Sequence, residues 1–442
     1  MAQAAPGLTL LLYSQQVTPR LWYVVHFMAE YFGLNAQVTQ DETHFATSAA
    51  AKICYHHTLV CYNAVWVQPH GLLFQTGVAP QVISIVEQQG HPAFFKTEGG
   101  YGFDLLGAVF YLLSRYEEYL PHKQDEYGRY NHRQSLAYQH GFLQQPVVNI
   151  WLEALRQELQ QKCAVVIPKK AFQFIPTYDV DIAWAYRHKG WRRSVGGALQ
   201  SLITGNVSAV WERVNVVTGR RKDPFDVYAG LQNLHERFGL KPIYFFHVGR
   251  SKNKYDKAIN IQASDFKNLV QSIATLHAVG LHPSWASNSN FDTLHAEKKF
   301  LEHLISKPIT HSRQHYLKFS LPHSFRHLIQ LGITDEYSMG WGGTNGFRAS
   351  VAAPFMWYDI EREQETALRL HPFPFMEATS LHEQHHTAGE ALGEMKLYFE
   401  TVRAYGGVYY TVWHPHFLSA LSLYQGWRQA YEIFLDWAYH QL

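Results

Sequence analysis

Cysteine is nearly missing from this chain, with three copies in 442 residues. Cys54, Cys61 and Cys163 cannot all pair within one molecule and none stands in a CxxC spacing. That excludes a disulfide framework and a paired-thiol zinc or redox motif, and leaves buried thiols as the expectation. Charge of one sign is missing too. A formal net charge of +2, with 17% charged residues, supplies no field that would make nucleic acid or an anionic membrane the main partner. The short basic clusters Arg192-Arg193 and Arg220-Arg221-Lys222 are expected to be solvated surface, because longer like-charge blocks are what mark a binding tail. No apolar run approaches the length that spans a bilayer. The start, MAQAAPGLTLLLYSQQ, has no basic region ahead of its short apolar stretch, so no signal peptide is expected and a cytoplasmic location is.

What is present belongs to a globular protein. Hydrophobic residues make up 47% and aromatics 15%, far from the composition of disordered chains. The length exceeds the size at which one core keeps growing, so two domains are expected. Residues 1–170 read as a smaller α/β domain of unassigned role. It has a strand-like run from Leu8 to Tyr13, a helix opened by Thr18-Pro19, strand-like runs at Ile53 to Tyr62 and Leu72 to Gln75, and helical spacing from Phe103 to Tyr119. The charges of SRYEEY, Arg115, Glu117 and Glu118 among them, are expected to form surface ion pairs. A further helix, Pro146 to Gln161, leads to a boundary near Lys169-Lys170.

From residue 171 to 442 strands alternate with helices, the signature of parallel β/α architecture. The strand candidates are Phe172 to Val180, Pro242 to Val248, Val279 to Trp285, His311 to Phe319, Gly332 to Tyr337, Ala367 to Phe375 and Gly407 to His414. About seven strand–helix units predict a distorted (β/α) barrel. Reacting groups in such barrels lie at the C-terminal strand ends. Four polar clusters fall there: Tyr178-Asp179-Val180-Asp181, Leu281-His282-Pro283-Ser284, Ser312-Arg313-Gln314-His315-Tyr316 and Trp413-His414-Pro415-His416. Two aspartates one residue apart at a strand end point the same way, so one can serve a cation while the other takes a proton. With 27 histidines in the chain, a single cluster means little. Four in order at successive strand ends form the minimum kit for hydrolysing an amide or ester through a metal-activated water.

These residues resemble the NodB-homology polysaccharide deacetylases, carbohydrate esterase family 4. TYDVD at 177–181 looks like the family's TFDDG-type motif, Gly280-Leu281-His282 like its second motif, Arg313 like its third-motif arginine and Val412-Trp413-His414 like its late Leu-His motif. The resemblance covers about residues 172–442. It is nearest to a bacterial branch with TYDVD, GLHPS, SRQHYL, GFR and WH segments and an extra N-terminal domain, whose FYLLSRYEEY helix matches Phe110 to Tyr119. By that resemblance Asp179 is the catalytic base, Arg313 orients it, His414 is the acid, and Asp181 and His282 hold a divalent ion, zinc by family habit with cobalt or another ion as alternatives. The substrate implied is an acetylated glycan or glycan precursor.

The family's second histidine, four residues after the first, is Ala286 here, and Ile182 replaces the glycine of TFDDG. His315 is the candidate replacement ligand and His416 the next. A non-catalytic carbohydrate-binding or assembly protein on the same scaffold is the alternative if no third ligand is present. A lesser alternative is a zinc metallopeptidase, since His382-Glu383-Gln384-His385-His386 satisfies HExxH. That segment is polar and lacks the apolar face a zincin helix needs. Arg348 is read evenly as a ligand clamp or a partner of Asp359. Of Trp285, Trp341 and Trp357, at least two are expected in the core.

Overall fold

The computed structural model describes residues 7–188, 207–250, 253–256 and 260–442. Arg192-Arg193 lie outside them, whereas Arg220, Arg221 and Lys222 are exposed as expected. The chain is mixed α/β and builds two main sheets. The first is parallel, with β1 (Thr9–Tyr13), β2 (Asn35–Thr39), β3 (Ala51–Tyr55) and β4 (Val65–Val67) in the order β2-β1-β3-β4. Thr18 caps the helix Pro19–Phe32 by accepting from the Leu21 N–H, and Pro19 tolerates the first turn because its missing N–H would have no partner there. Leu72–Phe74 is a single 3-10 turn rather than the strand its apolar run suggested. A small hairpin, β5 (Val86–Gln88) with β6 (His91–Ala93), and the helices Leu105–Leu113 and Val147–Cys163 complete this part. Cys54 is buried, while Cys61 and Cys163 are half-buried and unbridged.

The second sheet has nine strands. They are β7 (Phe172–Val180), β8 (Ile243–His247), β9 (Ala278–His282), β10 (His311–Ser312), β11 (Asp335–Glu336), β12 (Phe355–Asp359), β13 (Gln364–Leu370), β14 (Phe375–Met376) and β15 (Gly407–Trp413). Their order is β12-β13-β11-β10-β9-β8-β7-β15-β14, parallel except for the β12–β13 hairpin. The strands alternate faces, as a period of two requires. Ile243 and Phe245 of β8 with Val408, Tyr410 and Val412 of β15 fill an inner core, while Tyr244, Phe246, Tyr409 and Trp413 join the outer one. The sheet is strongly curled. Tyr410 of β15 and Tyr337, just after β11, approach to 5.6 Å between ring centroids although four strands lie between β11 and β15.

This corrects the expected seven-stranded barrel. Two extra strands are present, and among the described residues no ladder joins β14 to β12 or β13, so hydrogen bonds do not close the sheet. The chain itself crosses the seam, since only residues 371–374 separate β13 from β14. The runs His311 to Phe319 and Gly332 to Tyr337 shrink to two-residue strands because the chain turns out of the sheet at the site.

One continuous core runs through both sheets. Arg20, fully buried, donates from Nε and Nη2 to Glu363 at 2.9 and 2.5 Å. The SRYEEY charges are interior, not surface. Arg115 bonds Glu118 and Glu117 at 2.8 Å each, and Arg348 clamps Glu118 at 2.9 and 2.7 Å. Arg348 is therefore neither a ligand clamp nor a partner of Asp359, which pairs with Arg326. Trp341 and Trp357 are buried, while Trp285 is half-exposed and stacks on Tyr255 at 3.9 Å.

Candidate active site

The C-terminal ends of β7, β9, β10 and β15, with the loops that follow, bring six side chains to one cavity of about 440 Å³. Asp179, Asp181, His282, His315 and His414 line it directly, and Arg313 lies beneath. β9 is drawn tight against its neighbours at Gly280, where a Cβ would meet Phe245 Cδ1 at 2.6 Å and the His311 carbonyl at 2.9 Å. That fit leaves His282, two residues on, at the strand's end.

Asp181 is the hub. Its Oδ1 lies 3.1 Å from His282 Nε2, and its Oδ2 lies 3.6 Å from His315 Nε2 and 3.7 Å from His414 Nε2. Burial alone would push its carboxyl up, but the His315 and His414 imidazoles hold it well below the usual carboxylate range. Asp181, His282 and His315 each offer a ligand atom, and these atoms lie within 4.8 Å of one another. Asp181 Oδ1 and His282 Nε2 are buried and make no hydrogen bond, the condition of groups shaped for something other than each other. Each histidine is oriented from behind. His282 Nδ1 is 2.6 Å from the Arg313 carbonyl, and His315 Nδ1 is 3.3 Å from Asp256 Oδ1. Such contacts set the tautomer that leaves Nε2 free to ligate. Ala286 ligates nothing, but its N–H and that of Trp285 donate to Asp256 at 3.2 and 2.8 Å.

Around this cluster lie two groups suited to moving protons. Asp179, buried, accepts from Arg313 Nη1 at 2.8 Å. His414 faces Glu377 on its other side, Nδ1 to Oε1 at 2.7 Å, and its backbone N–H donates to the same oxygen. Burial disfavours the charged imidazole, yet the Glu377 and Asp181 carboxylates raise it to about 10. Similar opposition, led by burial and reversed by Asp181 and Asp256, puts His315 at about 9.

His416 lines the cavity beside His414, with centroids 5.5 Å apart, but stands outside the Asp181 cluster. The HExxH segment is not helical beyond its first residue. The helix Glu377–His382 ends there, the next begins at Ala388, and His386 faces Glu394 at 3.6 Å. Its histidines therefore do not share a helical face one turn apart. Glu377 and His247 are site residues that motif reading passed over, whereas Asp256 belongs to Tyr255-Asp256-Lys257, a polar segment that the sequence already marked as near the mouth. A loop of the N-terminal part, between the helices Leu105–Leu113 and Val147–Cys163, reaches in as well. Tyr127 stacks on Tyr316 at 5.4 Å, and Arg129 donates to the Tyr316 carbonyl at 3.0 Å. Tyr316 itself has φ 59, a strained backbone for a bulky residue.

Fold and site define a mixed α/β protein with an Asp/His cluster at the ends of parallel strands. Residues 10–164 match the model of a family of unknown function (DUF7033). A search of curated proteins finds no match. Among solved structures, the chain is similar to a protein assigned as a polysaccharide deacetylase from Mycobacterium smegmatis, at 14% identity over 62% of this chain and 85% of that one, with a TM-score of 0.39. Others are a protein assigned likewise from Pseudomonas aeruginosa PAO1 (11% identity, 61% and 84%, TM-score 0.36) and the polysaccharide deacetylase Bc1974 from Bacillus cereus (12%, 61% and 89%, TM-score 0.29). Likeness at this level assigns neither fold nor activity, and the chemistry rests on the site itself.

Proposed function

We propose that this protein is a metal-dependent hydrolase that removes acetyl groups from an N-acetylated or O-acetylated glycan or glycan precursor. One observation carries the reading. Asp181, His282 and His315 bring ligand atoms within 4.8 Å of one another, beside a carboxylate held by arginine and an imidazole held by a carboxylate. The spacing suits zinc. Nitrogen and oxygen ligands at 2.0–2.2 Å in a tetrahedron lie about 3.3 Å apart, and the two Asp181 oxygens stand near that distance from the histidines, Oδ1 at 3.1 Å from His282 and Oδ2 at 3.6 Å from His315. Three ligands leave a fourth position open, as catalytic sites require. Bound there, a divalent ion lowers the pKa of a water toward neutrality and polarises the acetyl carbonyl.

The chain's own groups do the rest. Asp179 takes the proton of the attacking water, and Arg313 fixes that carboxylate in place. His414, kept protonated by Glu377, donates to the departing nitrogen or oxygen. Half-buried Tyr127, Tyr255 and Tyr316 edge the cavity, and their amphipathic rings suit the apolar faces and hydroxyl rim of a sugar. The non-catalytic alternative depends on a missing third ligand, a condition the position of His315 argues against.

The test is metal content by mass spectrometry with acetate release from acetylated chito-oligosaccharides, for the wild type beside Asp181→Ala, His282→Ala and His315→Ala. Bound zinc with acetate release in the wild type, and loss of activity in all three variants, is the expected result. Metal retained in full by Asp181→Ala and His282→Ala would overturn the ligand assignment. No uptake of zinc or cobalt by the wild type would favour binding without hydrolysis.

A further inference from the structure

Behind His315, on the side away from Asp181, its other ring nitrogen meets two ligand-type side chains to which the reaction above gives no ligand role, His247 and Asp256. His247, Asp256 and His315 each present a ligand atom, all within 4.8 Å of one another, and all three residues are buried. His247 ends β8 directly opposite His282 of β9. Its Nδ1 lies 3.3 Å from the His282 carbonyl, and a proton there leaves Nε2 as a lone pair. That Nε2 is 2% exposed by residue, has no hydrogen-bond partner, and points toward Asp256 Oδ1 at 4.0 Å.

The His247 Nε2 lone pair and the Asp256 oxygen face each other across 4.0 Å in a buried place, a gap that a cation held by both would fill. Asp256 cannot turn away. The backbone N–H groups of Trp285 and Ala286 and the Asn253 side chain hold it. Its Oδ1 also faces His315 Nδ1 at 3.3 Å. Two imidazoles and one carboxylate form a donor set for zinc, cobalt(II) or copper(II), and an unsuitable one for magnesium or calcium, which prefer oxygen.

The geometry points to a second divalent transition-metal site, formed by His247 Nε2, Asp256 Oδ1 and His315 Nδ1, so that the His315 imidazole bridges two ions. The proposal rests on the reading in which Asp181, His282 and His315 Nε2 hold the first. An imidazole that ligates through both nitrogens has given up both protons, so the second ion displaces the Nδ1 proton that would otherwise face Asp256. The second site therefore depends on His247, whereas the first does not.

The test is equilibrium loading of the full chain with zinc, and separately with copper(II), followed by metal-to-protein ratio after desalting. The wild type is expected to hold two equivalents, and His247→Ala and His247→Gln one each. Circular dichroism of both variants establishes that they are folded. With copper, the bridged pair is expected to lose electron-paramagnetic-resonance intensity through coupling, and His247→Gln to regain the full signal of one isolated ion. One equivalent in the wild type, unchanged in the His247 variants, would overturn the second site and leave the first standing. Two equivalents unchanged by both variants would also overturn it. No metal in the wild type would overturn both readings together.

Discussion

Asp256 has no exposed surface, and polar contacts that include Asn253 fix its carboxylate against His315 and the 285–286 backbone. Removing the charge while keeping the shape should loosen His315 without deleting it. Asp256→Asn is expected to weaken zinc binding roughly 10- to 100-fold, the usual effect of losing a ligand's carboxylate partner. Chelator competition measures it directly, and an unchanged affinity would mean that His315 does not ligate. Glu377 acts on His414 in the same way. With its pKa raised to about 10, His414 stays protonated throughout the neutral range, and activity that needs the acid should fall only in strongly alkaline solution. Glu377→Gln is expected to pull that alkaline limb down by about one unit or more and to lower kcat, since a lost charge partner favours the neutral imidazole. A profile that does not move would exclude His414 as the acid.

Of the six side chains named from motifs and strand ends, five line one cavity and Arg313 bonds to Asp179 beneath it. Their supporting groups were not legible. Glu377 stands in no motif, and Asp256, in a segment legible only as a polar mark near the mouth, acquires its role from His315, which sequence keeps distant. His247 had a usable signal, as the last residue of a strand whose neighbour ends in His282. Ala286 shows the reverse. By motif it is a lost ligand, while in space its N–H helps hold the residue behind His315.

At the scale of elements, the helix end at Arg115 to Glu118 is the clearest misreading. Adjacent opposite charges look like surface pairs, and nothing local reveals that Arg348 waits 230 residues away. Glu118 is buried, and although burial pushes its carboxyl up, Arg348 and Arg115 bring it down to about 2. A depressed carboxyl contributes stability above its unfolded value of 4.5 and loses it as pH falls toward 2. Urea midpoints should therefore drop across that window, and drop less in Glu118→Gln. At neutral pH the same variant is expected to cost about 3–5 kcal/mol, because Arg348 is left buried without its partner. β15, which carries His414, starts under a different constraint. Gly407 has φ 136, and a Cβ there would stand 2.1 Å from the Ala352 carbonyl. Gly407→Ala is expected to destabilise by about 2–4 kcal/mol by thermal or urea unfolding, since the φ disfavours a side chain and the Ala352 backbone that it would meet cannot yield. Strand Phe172–Val180 has the bounds expected from the sequence, with aromatic and β-branched residues leading into the TYDVD segment. β12 was not expected, since an antiparallel strand has no helix before it to announce it.

Considered whole, the molecule carries many bonds across the boundary expected near Lys169-Lys170. The helix Pro19–Phe32 lies on β12 and β13, Tyr23 donates to the Met356 carbonyl at 2.7 Å, and Arg20, Glu118 and Arg129 each bond across. We expect residues 171–442 expressed alone to show no cooperative unfolding transition and no native near-ultraviolet signal. A sharp transition in that fragment would establish it as an independent unit.

The two ends of the large sheet have a bearing on solubility. β14 is two residues long, and β12 is bulged between Met356 and Tyr358 and covered by the first helix. An open strand edge invites the same edge of another copy to pair with it. With its first 164 residues in place, this chain offers its neighbours no such edge at β12. Stripped of them, it would present a ready strand in a concentrated cell, and inclusion bodies would form before any question of catalysis arose.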